Sequence, residues 1–386
     1  EINMKNKCNL ILLALATFLL TGCNNGTGNK PNEDKTIEVT DMIGRKVKVN
    51  PGSYKRIVCV GAGALRLYSY VGDISLLSGV EDIDNTSLKT RPKMFDTSAR
   101  PYLIANKEAF TKLPSCGVGG PNAQAPESEK ILSCNPDLII SEFEDETKAK
   151  AMEEQVGVPI ITLKYGYKGV FDQAIQDSIS LLGKVLDKET KSTKLNKYIA
   201  DQRKTIEDRT KDLVSNESVY ICGLGNWGTT NHLMTAQNYE PLNVVHANNV
   251  IKDLPKDGVS KIDDEKLVSL GDKIDKMFID AAAIKNINLK EGNDKSTLES
   301  IKAWKNKEVY LQMPYNAYYT NVEIALANTW FYAKTIYGEA FKDIDMTKKT
   351  NEITKAFLNK ELAEEIFKCP TSFGGYQKID HETFFA

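Results

Sequence analysis

The chain has 386 residues, a formal net charge of −2, three histidines and seven cysteines. This length is sufficient for two lobes of ordinary domain size. The near-neutral charge excludes the strongly basic surface expected of a nucleic-acid-binding protein, and it gives no electrostatic footprint for anionic lipid.

The first 35 residues have the pattern of an export signal followed by a tether. An apolar run, Leu10–Leu20, spans roughly 11 residues after a basic start, which is too short to cross a bilayer. It ends in Leu20-Thr21-Gly22-Cys23, which resembles the lipobox of bacterial lipoproteins. We therefore predict a lipoprotein signal peptide over 1–22, lipidation of Cys23 and a flexible polar tether over 23–35. The alternative is an ordinary secretory signal with a chance cysteine.

Strand-like and helix-like segments alternate from residue 36 to residue 186. A β-hairpin is predicted over 36–50, and apolar strands are predicted over 57–60, 75–80, 138–140 and 159–163. Helices are predicted over 64–71, 128–133, 146–156 and 170–186. Continuous apolar strands that alternate with helices indicate a parallel sheet covered on both faces. These residues are expected to form an N-terminal α/β lobe.

A long, charged helix is predicted over 187–214, where it would link the first lobe to a second. At about 26 residues it would measure roughly 39 Å, and its polarity favours a solvated strut over a core helix. The C-terminal lobe, 215–386, repeats the same alternation. Its strands are predicted over 219–222, 276–280 and 308–311, and its helices over 264–270, 297–303, 321–337 and 347–358. The segment 127–140 (ESEKILSCNPDLII) is echoed by 263–279 (DDEKLVSLGDKIDKMFI).

The chain resembles the substrate-binding lipoproteins of ABC importers, of the type that serves iron–siderophore, haem and cobalamin uptake. The resemblance is carried by the lipobox, by the opening hairpin with Val39-Thr40-Asp41 and Gly44-Arg45, and by the two echoed segments. A later block, 313–323, resembles the iron-complex binding subgroup. The resemblance implies an α/β fold of two Rossmann-like lobes, the class III periplasmic-binding-protein fold, bridged by a single long helix with a ligand cleft between the lobes.

The resemblance also implies that one glutamate on each lobe docks onto arginines of a membrane permease. By position in the echoed segments these residues are Glu129 and Glu265. Each begins a short helix, where a carboxylate is exposed and favoured by the helix dipole. The alternative is a solvated carboxylate with no partner protein.

Ligand contacts are expected where strands end, because ligands of open α/β sheets collect at the carboxyl ends of the strands. Gly61-Ala62-Gly63 opens a helix there and could hold an anionic group, or it could form a tight turn with the neighbouring Arg66 in solvent. Aromatic faces would stack on a bulky chelate, while Arg and Lys would neutralise its oxygens. The predicted ligand-binding residues are Arg66, Arg91, Arg100, Tyr102, Asn122, Lys164, Tyr165, Tyr167, Trp227, His232, Tyr315, Tyr318, Tyr319 and Asn321.

No catalytic residue, cofactor or direct metal site is predicted, and His232 is the one residue left open as a metal ligand. The sequence has no G-x-S-x-G, Walker loop or H-E-x-x-H motif. All three histidines lie in the second half, which argues against a zinc or manganese site built by histidines of both lobes.

The sequence thus predicts an extracytoplasmic, monomeric solute-binding lipoprotein that is attached to the membrane by lipid only. It would capture an iron complex, such as a ferric siderophore, and deliver it to the permease and ATPase subunits of an ABC importer. Cobalamin, haem and a nickel or other metal complex are alternative ligands. An extracytoplasmic enzyme on a similar scaffold is the alternative of another class.

Overall fold

Two separate sheets, each mainly parallel, form the framework of the protein. The structure is a computed structural model, and it describes residues 35–290 and 292–385. The predicted signal peptide, the lipidated Cys23 and the tether up to residue 34 lie outside the described residues. The α/β prediction is confirmed.

The N-terminal part is built around a three-stranded parallel sheet. Its elements are β1 (Ile37–Thr40), β2 (Lys46–Val49), β3 (Ile57–Val60), α1 (Ala64–Val71), α2 (Pro101–Phe110), α3 (Ser128–Ser133), β4 (Leu138–Ser141), α4 (Glu146–Val156), β5 (Ile160–Thr162) and α5 (Gln173–Leu186). The strand order is β3-β4-β5, and every residue of these three strands is buried. Helices therefore cover both faces of the sheet, as continuous apolar strands require.

The hairpin of β1 and β2 is attached to the rim of this sheet by one arginine. The Arg45 guanidinium donates to Asp41 within the hairpin at 3.0 Å and to the backbone oxygen of Ile160 in β5 at 2.6 Å. Met42 N–H also donates to the oxygen of Thr162 at 3.0 Å. The Asp41 and Arg45 positions noted in the sequence thus fix the hairpin to the sheet edge.

The next helix, α6 (Glu189–Thr210), packs along α5 and also contacts helices of the C-terminal part. Its buried residues form one stripe that includes Leu195, Ile199 and Ile206, while the other faces carry charged side chains. The helix ends at Thr210, four residues before the predicted end. It is therefore partly packed rather than a free solvated strut.

The C-terminal part contains a five-stranded sheet. Its elements are β6 (Ser218–Cys222), β7 (Met234–Thr235), α7 (Glu240–Val244), β8 (Asn248–Asn249), β9 (Ser260–Lys261), α8 (Asp264–Leu270), β10 (Lys276–Asp280), α9 (Asn293–Ser300), α10 (Lys302–Lys305), β11 (Val309–Gln312), α11 (Val322–Tyr337), α12 (Met346–Leu358), α13 (Ala363–Lys368), β12 (Gln377–Lys378) and α14 (His381–Phe384). The strand order is β12-β11-β10-β6-β8, with β12 antiparallel. β7 and β9 pair separately.

The last helices return to the N-terminal part. α12 packs on α1 and α2, and the rings of Tyr70 and Phe357 meet edge-on with centroids 5.0 Å apart. Residues 36–386 consequently form one compact unit that contains both sheets. The predicted lobe boundaries, 36–186, 187–214 and 215–386, remain a prediction.

Two predicted elements differ from the structure. The strand predicted over 75–80 is formed only in part. Ile74–Leu76 is a short 3-10 turn, because the carboxylate of Asp73 accepts from both the backbone N–H and the hydroxyl of Ser75, whereas Leu77 and Val80 form isolated parallel bridges. The predicted helix over 297–303 is two helices, α9 and α10, separated by Ile301 in an extended conformation. Within the described residues, no helix combines the length and apolarity needed to cross a membrane.

Candidate functional site

A loop of the C-terminal part reaches across to the N-terminal sheet. Residues 315–321, called here the crossing loop, follow β11 and are closed by a hydrogen bond from Asn321 N–H to the oxygen of Tyr315 at 2.7 Å. Tyr318 and Tyr319 have φ angles of 55° and 73°, in the left-handed region that bulky residues rarely occupy. Such strain persists only where the surroundings fix it, and it clusters at functional sites.

Arg66 holds the crossing loop from the other side. Its guanidinium donates to the backbone oxygens of Tyr318 at 2.9 Å and Ala317 at 2.6 Å, and to Oδ1 of Asn321 at 3.0 Å. The amide of Asn321 in turn donates to the oxygen of Ala99 at 3.0 Å. Arg66 and Asn321 are fully buried. Their predicted ligand contacts stay predictions, but in this arrangement both side chains bind the protein itself.

The glycine-rich turn after β3 binds a carboxylate of the protein. Gly61 N–H donates to Oε1 of Glu81 at 3.0 Å, and the Tyr318 hydroxyl donates to Oε2 of the same residue at 2.7 Å. The hydroxyl oxygen also accepts from Gly120 N–H at 3.0 Å. Burial raises the pKa of Glu81 to about 7, although these hydrogen bonds oppose the shift. Glu81 therefore occupies the position where an anionic ligand group was expected.

Together, Arg66, Glu81, Tyr318 and Asn321 form what we call the interlobe network. All four are at most 5% exposed, and each bonds to a group from the other sheet's part of the chain. The network therefore fastens the crossing loop to the N-terminal part.

Beside this network, an aromatic pair joins the carboxyl end of β5 to the crossing loop. The rings of Tyr165 and Tyr319 have centroids 4.4 Å apart. Tyr165 is buried and its hydroxyl donates to the oxygen of Gly63 at 2.8 Å, whereas Tyr319 is half-buried. Gly63 has φ +88° and a Cβ there would lie 2.5 Å from the Tyr165 hydroxyl, so this close approach requires glycine.

The ends of β4 and β5 present carboxylates, a lysine and an exposed tyrosine around this pair. Lys164 Nζ lies 3.0 Å from Glu144 Oε2, and both side chains are partly exposed. Tyr167 is 79% exposed. Glu142 is buried, and its Oε1 has no hydrogen-bond partner among the described residues. Burial, reinforced by Glu144, raises the pKa of Glu142 to about 9. We call Glu142, Glu144, Lys164, Tyr167 and Tyr319 the open flank.

On the other side of the crossing loop lies a small apolar cluster that contains residues of both parts. Phe95 packs against Tyr318 and Trp227, with ring centroids 5.9 and 6.2 Å apart. Trp227 is half-buried and lies in the loop after β6. In the same loop, Gly225 N–H donates to the hydroxyl of Tyr315 at 2.9 Å. Trp227 and Tyr315 are thus both placed at the strand ends, and Tyr315 is tied to the backbone.

Three predicted contacts of the first lobe bind neighbouring side chains instead of facing an opening. Arg100 and Tyr102 are buried, and both donate to the carboxylate of Asp84, the hydroxyl at 2.7 Å. Arg91 forms a two-point ion pair with Asp96, each N···O distance being 2.7 Å. The cations expected to neutralise an anionic chelate are therefore already paired.

The remaining predicted residues take no part in the contacts described above. Asn122 is exposed in the loop before α3. His232 is fully buried in the C-terminal part, where burial lowers its pKa. Glu129 and Glu265 are exposed in the first turns of α3 and α8, as a docking role requires.

Sequence reasoning missed the two buried glutamates of this region. Glu142 directly follows β4, so the strand-end rule applied to Tyr165 would have found it. Glu81 directly follows the strand predicted over 75–80, so the same rule would have found it as well. A cavity of about 220 Å³ lies elsewhere, at the amino end of β3, and none of the predicted ligand residues lines it.

Comparisons with known proteins agree with this architecture. A family model described as periplasmic binding protein matches residues 81–315. No curated protein sequence is similar enough to count as a match.

Several solved structures share the fold. A periplasmic solute-binding protein from Veillonella parvula is 21% identical with a TM-score of 0.65, covering 86% of this chain and 96% of that one. The molybdate-binding MolA of Haemophilus influenzae is 17% identical with a TM-score of 0.63, covering 84% and 98%. Helicobacter pylori CeuE in a Ni–His complex is 16% identical with a TM-score of 0.59, covering 86% and 99%.

Proposed function

Because the chain belongs to the periplasmic binding protein family, whose members bind solutes for transport outside the cytoplasm rather than act as enzymes, we propose that it captures a small metal chelate for an ABC importer. The predicted class III fold is confirmed by the family match and the shared architecture. Such proteins work with ABC permease and ATPase subunits. The chelate, its binding residues and the lipid anchor at Cys23 are the parts that we propose.

The observation that carries the proposal is the meeting of both sheets' strand ends at Tyr165 and Tyr319. Ligands of open α/β sheets bind at this edge. The open flank offers an aromatic face, a lysine and two carboxylates there, all contributed by loops that directly follow strands or by the crossing loop. Trp227 offers a second half-buried aromatic face on the other side of the crossing loop. A planar or bulky chelate would stack on these rings.

The charged groups around the proposed site indicate which class of chelate can bind there. Arg66, Arg91 and Arg100 are bonded within the protein, and Lys164 is paired with Glu144. Because Glu142 keeps its proton near neutral pH and Glu144 is paired with Lys164, the five residues of the open flank offer no unpaired cation to a ligand, which disfavours a strongly anionic one. We favour a ferric complex of low net charge, such as a hydroxamate, over a triply anionic catecholate. Cobalamin and haem remain alternatives that the same rings would suit.

A nickel complex with nitrogen ligands is the second candidate. Glu144 and Oε1 of Glu142, which has no hydrogen-bond partner among the described residues, could accept hydrogen bonds from the amine or imidazole N–H groups of such a complex. The fold shared with a protein crystallised as a Ni–His complex supports testing this ligand.

Tryptophan fluorescence tests the ligand class directly. Trp304 and Trp330 are at most 3% exposed, so Trp227 is the tryptophan that a ligand can reach. We expect saturable quenching by a neutral ferric hydroxamate, weaker quenching by a ferric tris-catecholate, and measurable competition by Ni–His if the second candidate is correct. Haemin, cyanocobalamin and molybdate complete the panel.

Matched tryptophan variants identify where the quenching arises. Trp227→Phe should abolish most of the signal change, whereas Trp304→Phe should retain it. Quenching that survives Trp227→Phe, or equal quenching by every compound, would contradict a chelate site at these strand ends.

Docking is proposed through Glu129 and Glu265. Both are exposed, and both begin a short helix in corresponding segments of the two parts. Reversing both charges with Glu129→Arg and Glu265→Arg should abolish uptake in cells while leaving chelate affinity unchanged. Exposed Glu154→Arg and Glu339→Arg provide a control for the same change in net charge. Uptake that survives the docking variant would show that other residues contact the permease.

A further inference from the structure

Three side chains of the C-terminal part converge from segments that are far apart in the sequence. His232 precedes β7, Asp264 begins α8 and Asp294 lies in the first turn of α9. Nε2 of His232 lies 3.8 Å from Oδ1 of Asp264 and 3.9 Å from Oδ1 of Asp294. One ligand atom from each residue falls within 4.8 Å of the other two.

The histidine is the independent sign that something binds here. It is fully buried, and neither ring nitrogen has a hydrogen-bond partner within the described ranges 35–290 and 292–385. Leaving a buried polar group unpaired costs free energy, because the group loses its bonds to water and gains none. Its Nε2 nevertheless faces two carboxylate oxygens across a gap that is too long for a hydrogen bond and wide enough for an ion.

The two carboxylates are held in place by neighbouring donors, and the main chain of His232 is held by a third. The Thr297 hydroxyl donates to Asp264 Oδ1 at 2.7 Å, and Asn288 N–H donates to Asp294 Oδ2 at 2.8 Å. The backbone oxygen of His232 accepts from the Tyr220 hydroxyl at 2.7 Å. Such outer contacts are what orients the ligands of a metal site.

We propose that His232, Asp264 and Asp294 bind a first-row divalent cation of the Zn²⁺ or Mn²⁺ kind. Two carboxylates and an imidazole match the charge and donor preference of these ions, whereas Ca²⁺ and Mg²⁺ prefer all-oxygen sites. Ligand distances of roughly 2.0–2.2 Å would require the three groups to close by a fraction of an ångström. The carboxylate side chains are 36% and 26% exposed, which leaves a path from solvent and room for water ligands.

The site is separate from the proposed chelate seat. All three donors belong to the C-terminal part, and none is in the open flank or the interlobe network. The proposal therefore does not depend on the proposed function, and cation binding should occur whether or not a chelate is present.

Calorimetric titration of the chelator-stripped, desalted protein with ZnCl₂ and MnCl₂ tests the site. We expect one saturable cation per chain, with an affinity reduced at least about tenfold in Asp294→Asn, Asp264→Asn and His232→Gln. Asp253→Asn and His246→Asn remove an exposed carboxylate and an exposed imidazole from the same part of the chain and should leave the affinity unchanged. His246 has φ 54°, a backbone conformation that asparagine tolerates.

Binding of Co²⁺, followed by its visible absorption, gives a second readout that reports imidazole and carboxylate ligation. If His232→Gln fails to fold, the two aspartate variants decide the question, because their carboxylates are partly exposed. The proposal is overturned if the wild-type protein binds no stoichiometric cation. It is equally overturned if the control variants lose as much affinity as the cluster variants.

Discussion

The interlobe network and the open flank lie side by side along the crossing loop, but their polar groups differ in hydrogen bonding and in exposure to solvent. In the network, Arg66 and Tyr318 each meet several partners and are at most 3% exposed, and only Nε of Arg66 is left without a partner among the described residues. In the open flank, Tyr167 is largely exposed, and Oε1 of Glu142 has no hydrogen-bond partner in the part of the chain that the structure describes. The first region holds the two parts together, and the second keeps unused bonding capacity. Residue type alone would not separate them, because both contain tyrosine, glutamate and a basic residue.

Removing the guanidinium of Arg66 should produce the largest effect. Arg66→Ala leaves the buried oxygens of Ala317 and Tyr318 without their donor, and we expect a loss of about 3–5 kcal/mol in the free energy of unfolding. Chemical denaturation measures it. Arg56→Ala, at a side chain that is 48% exposed, serves as the control and should cost less than about 1 kcal/mol. Equal stability of the two variants would contradict the structural role of the network.

The next largest effect should come from Glu142 and should depend on pH. Its pKa rises from 4.5 to about 9 on folding, so the folded state keeps the proton between these values while the unfolded state releases it. Glu142 should therefore make wild-type stability fall as pH rises through this window, and Glu142→Gln should lose that component of the fall. The difference in unfolding free energy, variant minus wild type, should grow by at most about 1.4 kcal/mol per pH unit. A difference that is constant between pH 6 and 8 would contradict an unpaired, protonated Glu142.

A smaller effect is expected from the Tyr318 hydroxyl. Tyr318→Phe removes its hydrogen bonds with Glu81 and Gly120 but keeps the ring against Phe95, so we expect a loss of about 1–3 kcal/mol. Thermal unfolding measures the change. Tyr167→Phe, which removes an exposed hydroxyl, should have almost no effect on stability. A Tyr318→Phe protein as stable as the wild type would show that the network does not need this contact.

The smallest change in stability, and the clearest change in binding, should come from the open flank. Lys164→Ala breaks a partly exposed ion pair with Glu144 and should cost less than about 1 kcal/mol. If the chelate binds there, the affinity of the protein for the chelate should change about tenfold, as measured by the quenching of Trp227 fluorescence. Lys168→Ala, an exposed neighbour, should change neither quantity. Unchanged chelate affinity in Lys164→Ala would remove the open flank from the proposed site.

Local signals predicted much of the framework. The helices over 64–71, 128–133, 146–156 and 264–270 have their predicted bounds, because glycine, asparagine or aspartate stands next to their ends. The strand predicted over 75–80 failed in its first half, where Ser75 donates two hydrogen bonds to the carboxylate of Asp73 and the chain forms a 3-10 turn. Short-range hydrogen bonds to one aspartate thus outweighed the hydrophobic pattern there.

The site was less predictable, because its contacts join distant parts of the chain. The strand-end rule placed Tyr165 correctly beside the crossing loop, but the partners of Arg66 lie about 250 residues away in the sequence. The same holds for His232, whose two carboxylate neighbours come from separate helices. The spacing of residues in the sequence does not predict which distant residues will contact each other. The residue types at strand ends, by contrast, do indicate candidate site residues.

The contact between Gly61 and Glu81 has a consequence for selectivity. The turn after β3 precedes a helix, as anion-binding turns do, and its backbone donor at Gly61 is bonded to a carboxyl group of the protein itself. A nucleotide or sugar phosphate arriving at this edge would find the backbone donor of Gly61 engaged and an acidic side chain in its way. A turn that is occupied from within in this way should therefore disfavour phosphorylated ligands at this edge of the sheet.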